Sequence, residues 1–567
     1  MATWTLKTYE RTVAELLVRE AGVSPITAQL LAARGILDRE AAEQFLSPSL
    51  ASIPDPFLMA GIEQAVSRLV AARERNEQIC IYGDYDVDGI SGTALLTSFL
   101  TRCGFSCSYF IPNRFDEGYG LNSSALEQIH ANGAALVVSV DCGINACSEA
   151  AHCRTIGLDL IIVDHHTPGE STPDACSVIN PHQSHCNFPY KQLCGVGVAF
   201  FLLIALRSRL REAGVFTGQT EPDLREWLDL VALGTVADVV PLTGLNRVLV
   251  CHGLRRMSEQ PRTGLKALKQ VARIEGQVRS GQVGFQLGPR LNAVGRMDSA
   301  VPGVQLLLTD STSTAAEIAR ELNDANTARQ SLERDILEEA IRMVDADGSY
   351  PERRSIVLAS EQWHQGVMGI VASRLTERYY RPVILIALDE SGAGKGSGRS
   401  IPGFDLLSAI QAAPDSLDRF GGHRYAAGVS VKPGMAARFA ADFEQVASGM
   451  LAGHDLTPEI SIDAEVQPQD VTDQLIDDLK QLEPFGAANP EPLLLMRGLK
   501  VFSRKTVGDG HLQLVLAADG RTFKAIAFRQ AAEQFGPEVD VLFTPERDTW
   551  NGNRGIKLRI KSIRTAV

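Results

Sequence analysis

Acidic and imidazole side chains follow three apolar runs of the sequence, each at the point where the run ends. The runs are residues 79–82, 136–140 and 160–163, and we expect each to form a buried strand. The side chains that follow them are, in order, Asp84, Asp86 and Asp88, then Asp141, then Asp164, His165 and His166. In open parallel sheets, ligands bind where the carboxyl ends of the strands meet. Carboxylates held this close repel one another, and a divalent cation that prefers oxygen ligands removes that cost. The pattern predicts a site for Mg²⁺ or Mn²⁺; for the first run alone, an Asp/Gly-rich surface turn is the alternative.

Two further features adjoin this predicted site. Gly89 and Gly92 are expected to let the chain turn tightly into a helix at residues 93–100. Asp238 lies in the segment GTVADVVPL, near the end of a helix predicted at residues 223–239. An Asp among apolar residues is either a paired core residue or a ligand, and the neighbouring motifs favour a ligand.

Three glycine-rich segments carry groups that suit phosphate oxygens. Arg290 and Arg296 lie in QLGPRLNAVGR, which we expect to be a Gly-rich turn, and a surface ion pair is the alternative role for each. Ser397 and Arg399 lie in GKGSGRS, where a phosphate-cradling loop and a plain Gly/Ser hairpin are both open. His423 follows a glycine pair that we expect to be flexible. None of these segments has the spacing of a Walker motif.

Composition and charge bound the class of protein. The chain has 567 residues and a net charge of −13, which argues against a surface that binds nucleic acid everywhere but allows a local basic groove. We expect neither a secretory signal nor a membrane span, and the ten cysteines are expected to be reduced in a cytoplasmic protein. One cluster could instead be a zinc site of unusual spacing, namely Cys176, His182, His185, Cys186 and Cys194.

The order of apolar runs and helical patterns divides the chain into five parts. They are a helical region at residues 1–75, a parallel-sheet α/β domain at 76–312, a long linker helix at 313–346, a second α/β domain at 347–452, and a barrel of short strands at 453–567. In the first part, helical spacing occurs at residues 27–35, 39–46 and 61–75.

The C-terminal part is basic within an acidic chain. Residues 501–567 contain eleven Lys/Arg against seven Asp/Glu, and a hairpin is predicted at residues 551–553. Aromatic residues alternate with the basic ones, namely Phe502, Phe523, Phe528, Phe543 and Trp550. Such barrels bind single strands by stacking bases on aromatic rings, although we expect these rings to be barrel core.

Eight segments together resemble the RecJ family, the bacterial single-strand-specific 5′→3′ DNA exonucleases of the DHH phosphoesterase superfamily. The segments are DYDVDG, DCG, DHH, GTVADVVPL, QLGPRLNAVGR, VMGIVASRL, GSGRS and GGH. They occur in the family's order, and the resemblance runs from about residue 30 to the C-terminus. The DHH and DxD motifs alone indicate the superfamily, whereas GTVADVVPL and QLGPRLNAVGR with the basic barrel narrow the resemblance to RecJ.

The resemblance implies a fold and a set of site residues. The fold is a parallel-sheet DHH domain joined by a long helix to a second α/β DHH-associated domain across a cleft, with an OB-like C-terminal barrel. One cation would be held by Asp84, Asp86 and Asp141, and the second by Asp88, Asp141, His165 and Asp238. Asp84 stands where many relatives have a histidine. Asp164 would orient His165, and His166 would contact the scissile phosphate. Phosphates of the strand, including a 5′-terminal one, would contact Ser397, Arg399 and His423 with Arg290 or Arg296.

The implied activity is two-metal hydrolysis of single-stranded DNA with release of 5′-mononucleotides, in DNA repair and recombination. A single-strand-binding protein and a helicase are the implied partners, and we expect a monomer. The alternatives are a DHH phosphodiesterase for short oligonucleotides or cyclic dinucleotides, a non-catalytic DNA-binding relative and a DHH pyrophosphatase. The extra N-terminal region and the basic barrel argue against the first, the complete Asp/His set argues against the second, and the chain length with the barrel argues against the third.

Overall fold

A computed structural model describes residues 2–113, 118–297, 299–350, 352–548 and 555–566, apart from the side chains of residues 296 and 297. The chain divides into two compact units, which are described separately below. The first unit contains Trp4–Leu291, Ala300–Ala319 and Ile460–Val567, and the second contains Met1–Thr3, Asn292–Ser299 and Arg320–Glu459.

The N-terminal region is helical, as predicted, and it packs against the C-terminal barrel of the same unit. Its elements are β1 (Thr3–Leu6), α1 (Arg11–Ala21), α2 (Pro25–Ala32), α3 (Arg39–Leu46) and α4 (Ile62–Glu74). Neither β1 nor α1 was predicted from the sequence. Leu17, Leu30 and Leu31 are fully buried in one apolar cluster with barrel residues such as Leu512 and Phe543. The N-terminal helices and the barrel therefore share one apolar core.

A five-stranded parallel sheet lies at the centre of the first unit, as predicted. Its strands are β2 (Gln78–Gly83), β3 (Ser106–Phe110), β4 (Ala134–Val140), β5 (Asp159–Val163) and β6 (Ser177–Ile179), in the spatial order β3-β2-β4-β5-β6. Helices α5 (Val87–Arg102), α6 (Ser123–Ala131), α7 (Cys147–Ile156), α8 (Gly195–Glu212) and α9 (Leu228–Ala237) connect or follow the strands. Gly83 pairs with Val140, and Val140 pairs with Val163. The carboxyl ends of β2, β4 and β5 are therefore aligned.

The turn predicted at Gly89 and Gly92 is helix instead, because α5 begins at Val87. The two glycines provide close approach rather than unusual dihedral angles. A Cβ at Gly89 would lie 2.5 Å from the carbonyl oxygen of Asp84, and a Cβ at Gly92 would lie 2.5 Å from Cγ2 of Val140. The first turns of α5 can therefore lie directly against the strand ends.

The segment QLGPRLNAVGR is also helical, so the predicted Gly-rich turn is wrong. After α10 (Gly244–Glu259) and α11 (Thr263–Val271), the chain forms α12 (Ser280–Gln282), a π-helical segment (Val283–Leu287), α13 (Gly288–Met297) and α14 (Val301–Leu308). Pro289, which has no backbone N–H, is the second residue of α13 and follows the π-helical segment almost directly.

The long helix predicted at residues 313–346 is confirmed as α15 (Thr312–Ala346), which spans about 52 Å over its 35 residues. In the second unit it is followed by β7 (Ile356–Ser360), α16 (Met368–Tyr379), β8 (Val383–Leu388), β9 (Gly394–Arg399), α17 (Leu406–Gln411), β10 (Leu417–His423), β11 (Ala426–Val431) and α18 (Ala436–Met450). The sheet order is β10-β11-β9-β8-β7, with only β7 and β8 parallel.

GKGSGRS and GGH belong to strands, not to the predicted loop and flexible glycine pair. Successive residues of β9 face opposite sides of the sheet, so residues at alternate positions share a face. A Cβ at Gly396 would lie 2.7 Å from Cγ2 of Val429, and one at Gly398 would lie 2.9 Å from Cδ2 of Leu406. The glycines therefore let the core pack closely against one face of β9, while Ser397 and Arg399 project from the other.

The predicted C-terminal barrel is confirmed. After β12 (Glu459–Ile462), which pairs with β1, and β13 (Ala464–Glu465), the chain forms α19 (Asp473–Gln481), β14 (Leu494–Val507), β15 (His511–Ala518), β16 (Arg521–Ala527), β17 (Glu538–Arg547) and β18 (Ile556–Thr565). The order β14-β15-β16-β18-β17 closes because β17 also pairs with β14. The hairpin predicted at residues 551–553 lies outside the described residues.

Arg247 of α10 ties this barrel to the rest of the first unit. Its buried guanidinium donates to the carbonyl oxygens of Phe45, Gln481 and Leu482, at 2.8–2.9 Å, and stacks on the ring of Phe45.

Among the described residues, no helix is both long and apolar enough to cross a membrane.

Candidate metal centre and phosphate-binding surface

The aligned strand ends bring the predicted acidic residues together. Asp84 follows Gly83 of β2, Asp141 follows Val140 of β4, and Asp164 follows Val163 of β5, and all three are buried. Asp141 has a backbone φ of 65°, a left-handed conformation that Asp tolerates better than most residues. Its N–H donates to the carbonyl oxygen of Val163, 2.9 Å away. The turn after β4 thus directs the Asp141 side chain between its two neighbours.

Asp84, Asp86 and Asp141 form one group in which the carboxylate oxygens lie within 4.8 Å of one another. Asp86 is the N-cap of α5, where its Oδ1 accepts from the N–H groups of Asp88 and Gly89 at 2.9 and 3.2 Å. The cap fixes the carboxylate of Asp86 beside the other two. This group has the composition of the first predicted cation site.

Asp88, His165 and Asp238 form a second group of the same size. His165 Nε2 lies 3.2 Å from Asp141 Oδ1, 3.5 Å from Asp238 Oδ2 and 3.9 Å from Asp88 Oδ2. The Asp88 carboxylate also accepts from the first N–H groups of α8, from Gly195 at 2.5 Å and from Val196 at 2.9 Å. Asp141 therefore adjoins both groups, as a shared ligand would.

His166 lies in a third group with Asp141 and His165, and a carboxylate holds its ring. Asp164 Oδ1 is 2.8 Å from His166 Nδ1 and accepts the backbone N–H groups of His165 and His166. The prediction that Asp164 orients His165 is wrong for the ring, because the ring that Asp164 contacts is that of His166. Tyr119, which the sequence analysis missed, adds a hydroxyl 3.2 Å from the same Nδ1.

The electrostatics of the site are dominated by several carboxylates that lie close together. Burial and the neighbouring carboxylates raise the pKa of Asp88 to about 6 and that of Asp238 to about 9, and raise the pKa of Asp141 well above its usual range. Burial and His166 lower the pKa of His165 to about 4, so its ring is neutral. Burial lowers the pKa of His166, but the hydrogen bond with Asp164 outweighs it and raises the value to about 9.

The donor set fits divalent cations. Asp141 Oδ1, His165 Nε2 and Asp238 Oδ2 are buried and have no hydrogen-bond partner among the described residues. Leaving such atoms unsatisfied is costly. Carboxylate oxygens are the ligands that Mg²⁺ and Mn²⁺ prefer, and a neutral imidazole nitrogen is a common metal ligand. The residues could therefore hold two ions that share Asp141.

Two glycines on helices allow this crowding. A Cβ at Gly195 would lie 2.7 Å from Cβ of Asp141, and a Cβ at Gly234 of α9 would lie 2.5 Å from Oδ1 of Asp88. Neither glycine has a positive φ, so close approach is their role. The sequence signal for both was only the glycine within an apolar helical pattern.

A second polar surface lies on the sheet of the second unit. His423 pairs with Ala426, and Ala426 pairs with Arg399. The side chains of these three paired residues therefore lie on the same face of the sheet, on three neighbouring strands. Ser397 accepts from Arg399 Nη1 at 3.2 Å. His423 lies two strand spacings from Arg399, about 10 Å. The structure thus brings Ser397, Arg399 and His423 to one face.

The N-terminus of α16 adjoins this face. A Cβ at Gly369, the second residue of α16, would lie 2.7 Å from Nη2 of Arg399 and 3.0 Å from Oγ of Ser397. A guanidinium, a hydroxyl and a helix N-terminus at one place suit a phosphate group. Gly421 and Gly428, which pair with each other in β10 and β11, leave the floor of the face open.

The other predicted residues have different placements. Arg290 lies on α13 and donates to the carbonyl oxygen of Gln286 at 2.7 Å. The side chain of Arg296 lies outside the described part of the chain. The cysteine–histidine cluster does not assemble: among the described residues, no three of Cys176, His182, His185, Cys186 and Cys194 come close enough to share an ion.

The predicted core role of the barrel aromatics is correct for only some of them. Phe523 and Phe543 are buried, but Phe502 is 72% exposed and Phe528 is 52% exposed. Trp550 lies outside the described residues. Phe528 stacks edge-on against His511, with ring centroids 5.1 Å apart.

Three family models match the chain. The model described as "DHH family, N-terminal domain" matches residues 78–235, "DHHA1 domain" matches residues 353–449, and "RecJ OB domain" matches residues 462–562. The sheet with its strand-end carboxylates is thus that of a DHH protein.

Relatives that match nearly the whole chain identify the family within the class of DHH proteins. The chain is 36% identical to the single-stranded-DNA-specific exonuclease RecJ of Bacillus subtilis, over 98% of this chain and 70% of the relative. It is also 36% identical to RecJ of Escherichia coli, over 98% of both chains. A crystal structure of RecJ from Thermus thermophilus in complex with Mn²⁺ superposes with a TM-score of 0.85 and 32% identity, covering 99% of this chain and 79% of that one. The chain belongs to the RecJ family.

Proposed function

We propose that this protein is a single-stranded-DNA-specific 5′→3′ exonuclease that hydrolyses phosphodiester bonds and releases 5′-mononucleotides. The observation that carries the proposal is the Asp/His cluster at the aligned strand ends, with three buried ligand atoms that have no hydrogen-bond partner among the described residues. We propose specificity for single strands because the similar RecJ proteins are single-stranded-DNA-specific exonucleases.

Two divalent cations, Mg²⁺ or Mn²⁺, are proposed as cofactors, in line with the RecJ structures solved with either ion. Asp84, Asp86 and Asp141 would hold one, and the other would be held by Asp88, Asp141, His165 and Asp238. When bound, the ions would supply an acidified water as nucleophile and neutralise charge on the leaving oxygen. The cap at Asp86 and the α8 amides at Asp88 hold these carboxylates in place before any ion binds.

His166 is proposed to contact the scissile phosphate. Its Nδ1 is engaged by Asp164 and by the hydroxyl of Tyr119, which leaves Nε2 to donate to a phosphate oxygen. The carboxylate of Asp164 stabilises the charged imidazolium and fixes the ring, so that the donor is oriented before substrate arrives.

The remaining contacts with the strand are assigned in the same way. Ser397, Arg399 and His423 would take the 5′-terminal phosphate, and Arg290 or Arg296 would contact another phosphate. The barrel would bind the strand farther along, through Phe502 and Phe528 and nearby basic residues such as Lys505 and Arg529.

The predicted boundaries at residues 75, 312, 346 and 452 are proposed as domain limits.

The cellular setting is proposed on the family alone. The enzyme would act in the cytoplasm as a monomer, in DNA repair and recombination, with a single-strand-binding protein and a helicase as partners.

The test is digestion of a 5′-labelled single strand with Mn²⁺ or Mg²⁺, beside a 3′-labelled strand, a blunt duplex, a dinucleotide and a cyclic dinucleotide. Immediate release of the 5′ label as mononucleotide, with the duplex spared, is the expected result. Turnover of dinucleotides or cyclic dinucleotides alone would replace the exonuclease with a small-substrate phosphodiesterase. Binding of the strand without cleavage would indicate a scaffold.

A further inference from the structure

Phe285 is the most exposed large apolar side chain among the described residues, with 86% of its surface accessible. Exposed aromatic rings forgo the stabilisation that burial gives, and on binding proteins they commonly contact a ligand. Its sequence neighbours Gly284 and Gln286 are small or polar. A single exposed ring offers far less apolar area than a protein partner needs, and its flat face suits a single base.

The backbone at Phe285 has an uncommon geometry. The segment Val283–Leu287 is π-helical, and the N–H of Gly288 donates to the carbonyl oxygen of Val283, five residues earlier. Such insertions are rare and frequently occur at functional sites. Val283 and Leu287 are buried on either side, so the segment is anchored while the ring of Phe285 projects outward.

The segment packs against the helix end that carries Asp238. A Cβ at Gly284 would lie 3.8 Å from Cγ1 of Val236, and a Cβ at Gly288 would lie 3.6 Å from Cβ of Ala237. Asp238 follows directly as the C-cap of α9. The next residue, Val239, is 69% exposed and has a φ of 60°, a strained conformation for a β-branched residue. The segment that carries Phe285 therefore packs against the end of the helix that carries Asp238, and Val239 is a second exposed apolar side chain at that helix end.

We propose that the ring of Phe285 is a platform on which one unpaired base of the substrate strand stacks while the scissile phosphate lies at the Asp/His cluster. The inference rests on the proposed function and adds a specificity-determining residue to it. Every base offers a π-face, so such stacking tolerates any sequence. A base within a duplex already uses both faces for stacking on its neighbours. The platform therefore favours single strands at the site of cleavage itself.

The test uses Phe285→Ala with three comparisons, on strands of about six nucleotides, which are within the range that one binding domain covers. Phe285→Tyr keeps the ring and should retain activity. Leu37→Ala removes a 56% exposed apolar side chain from the N-terminal region and should change nothing. Phe285→Ala should lower kcat/KM about 10-fold, which corresponds to the loss of one stacked base.

Strands with one abasic residue moved along the sequence locate the contact. One position should lower kcat/KM of the wild type about 10-fold and leave Phe285→Ala unaffected, because the two changes remove the same contact. Equal activity of Phe285→Ala and wild type on all strands would overturn the inference, as would equal losses for Phe285→Ala and Phe285→Tyr. A loss in Phe285→Ala that no abasic position reproduces would also overturn it, and would favour a protein-docking or folding role.

A binding measurement separates this inference from the proposed function. The same strands carrying 2-aminopurine at the located position, or at each position in turn, are titrated with Ca²⁺ in place of Mn²⁺. Fluorescence quenching in the wild type that is absent in Phe285→Ala supports the platform even if the protein proves not to be a nuclease. Cleavage of normal strands without any such difference would leave the exonuclease and remove the platform.

Discussion

Asp164 Oδ1 lies 2.8 Å from Nδ1 of His166, and the same oxygen accepts the backbone N–H groups of both histidines. The second histidine of the DHH motif is therefore fixed by the aspartate that begins it. The first histidine points to Asp141 and Asp238 instead. One short motif thus supplies a candidate metal ligand and an oriented donor for phosphate.

The pair of Asp164 and His166 should act as a unit. Asp164→Asn keeps the shape but removes the charge that stabilises the imidazolium, and we expect kcat/KM on a short strand to fall about 10- to 100-fold. In His166→Ala, kcat/KM should fall at least as far. In the double variant it should be little lower than in His166→Ala alone. Steady-state kinetics of the three variants check this coupling. Additive losses would show that Asp164 acts on something other than His166.

Asp141 should be needed for both ions. Asp141→Asn is the informative change, because Asn also tolerates the left-handed backbone seen at this position. We expect at least about a 100-fold loss of activity and loss of Mn²⁺ binding at both sites, with unfolding temperature largely kept. Calorimetric titration with Mn²⁺ measures the number of ions. Two ions bound with wild-type affinity would contradict a shared ligand.

Gly234 should matter although it has no side chain to contact substrate. A Cβ at this position would lie 2.5 Å from Asp88 Oδ1, so Gly234→Ala should displace that carboxylate and weaken Mn²⁺ binding about 10-fold or more. Gly449→Ala is the matched control, since a Cβ at this position of α18 would meet no atom outside its own helix within 4 Å and should leave stability unchanged or slightly raised. Equal metal affinity in both variants would show that Asp88 adjusts freely.

The barrel should contribute to long strands only. Deleting residues after about 455 is a poor test, because it would expose Leu17, Leu30 and Leu31 and leave Arg247 without two of its carbonyl partners. Replacing both exposed rings, Phe502→Ala with Phe528→Ala, avoids this. We expect about a 10-fold weaker binding of long strands and unchanged cleavage of short ones. Equal losses on both lengths would contradict a separate binding surface.

The strand-end aspartates could be predicted because parallel strands read as apolar runs and their carboxyl ends meet at one edge of the sheet. The glycine-rich segments could not, since glycine serves both turns and close packing. At Gly89, Gly234 and Gly396 the structure uses it for close approach within helices and a strand. Tyr119 was missed because only the tertiary fold brings its hydroxyl to His166. In the barrel, an aromatic residue on a strand faces core or solvent according to register, which separates Phe523 from Phe502.

The most direct test of the account is to locate Mn²⁺ in crystals of this protein by anomalous diffraction at the manganese edge. We predict two peaks, one within ligand distance of Asp84, Asp86 and Asp141, and one within ligand distance of Asp141, His165 and Asp238 with Asp88. Asp141→Asn crystals should lose both. A single peak away from Asp141, or no peak among these residues at saturating Mn²⁺, would contradict the two-metal centre.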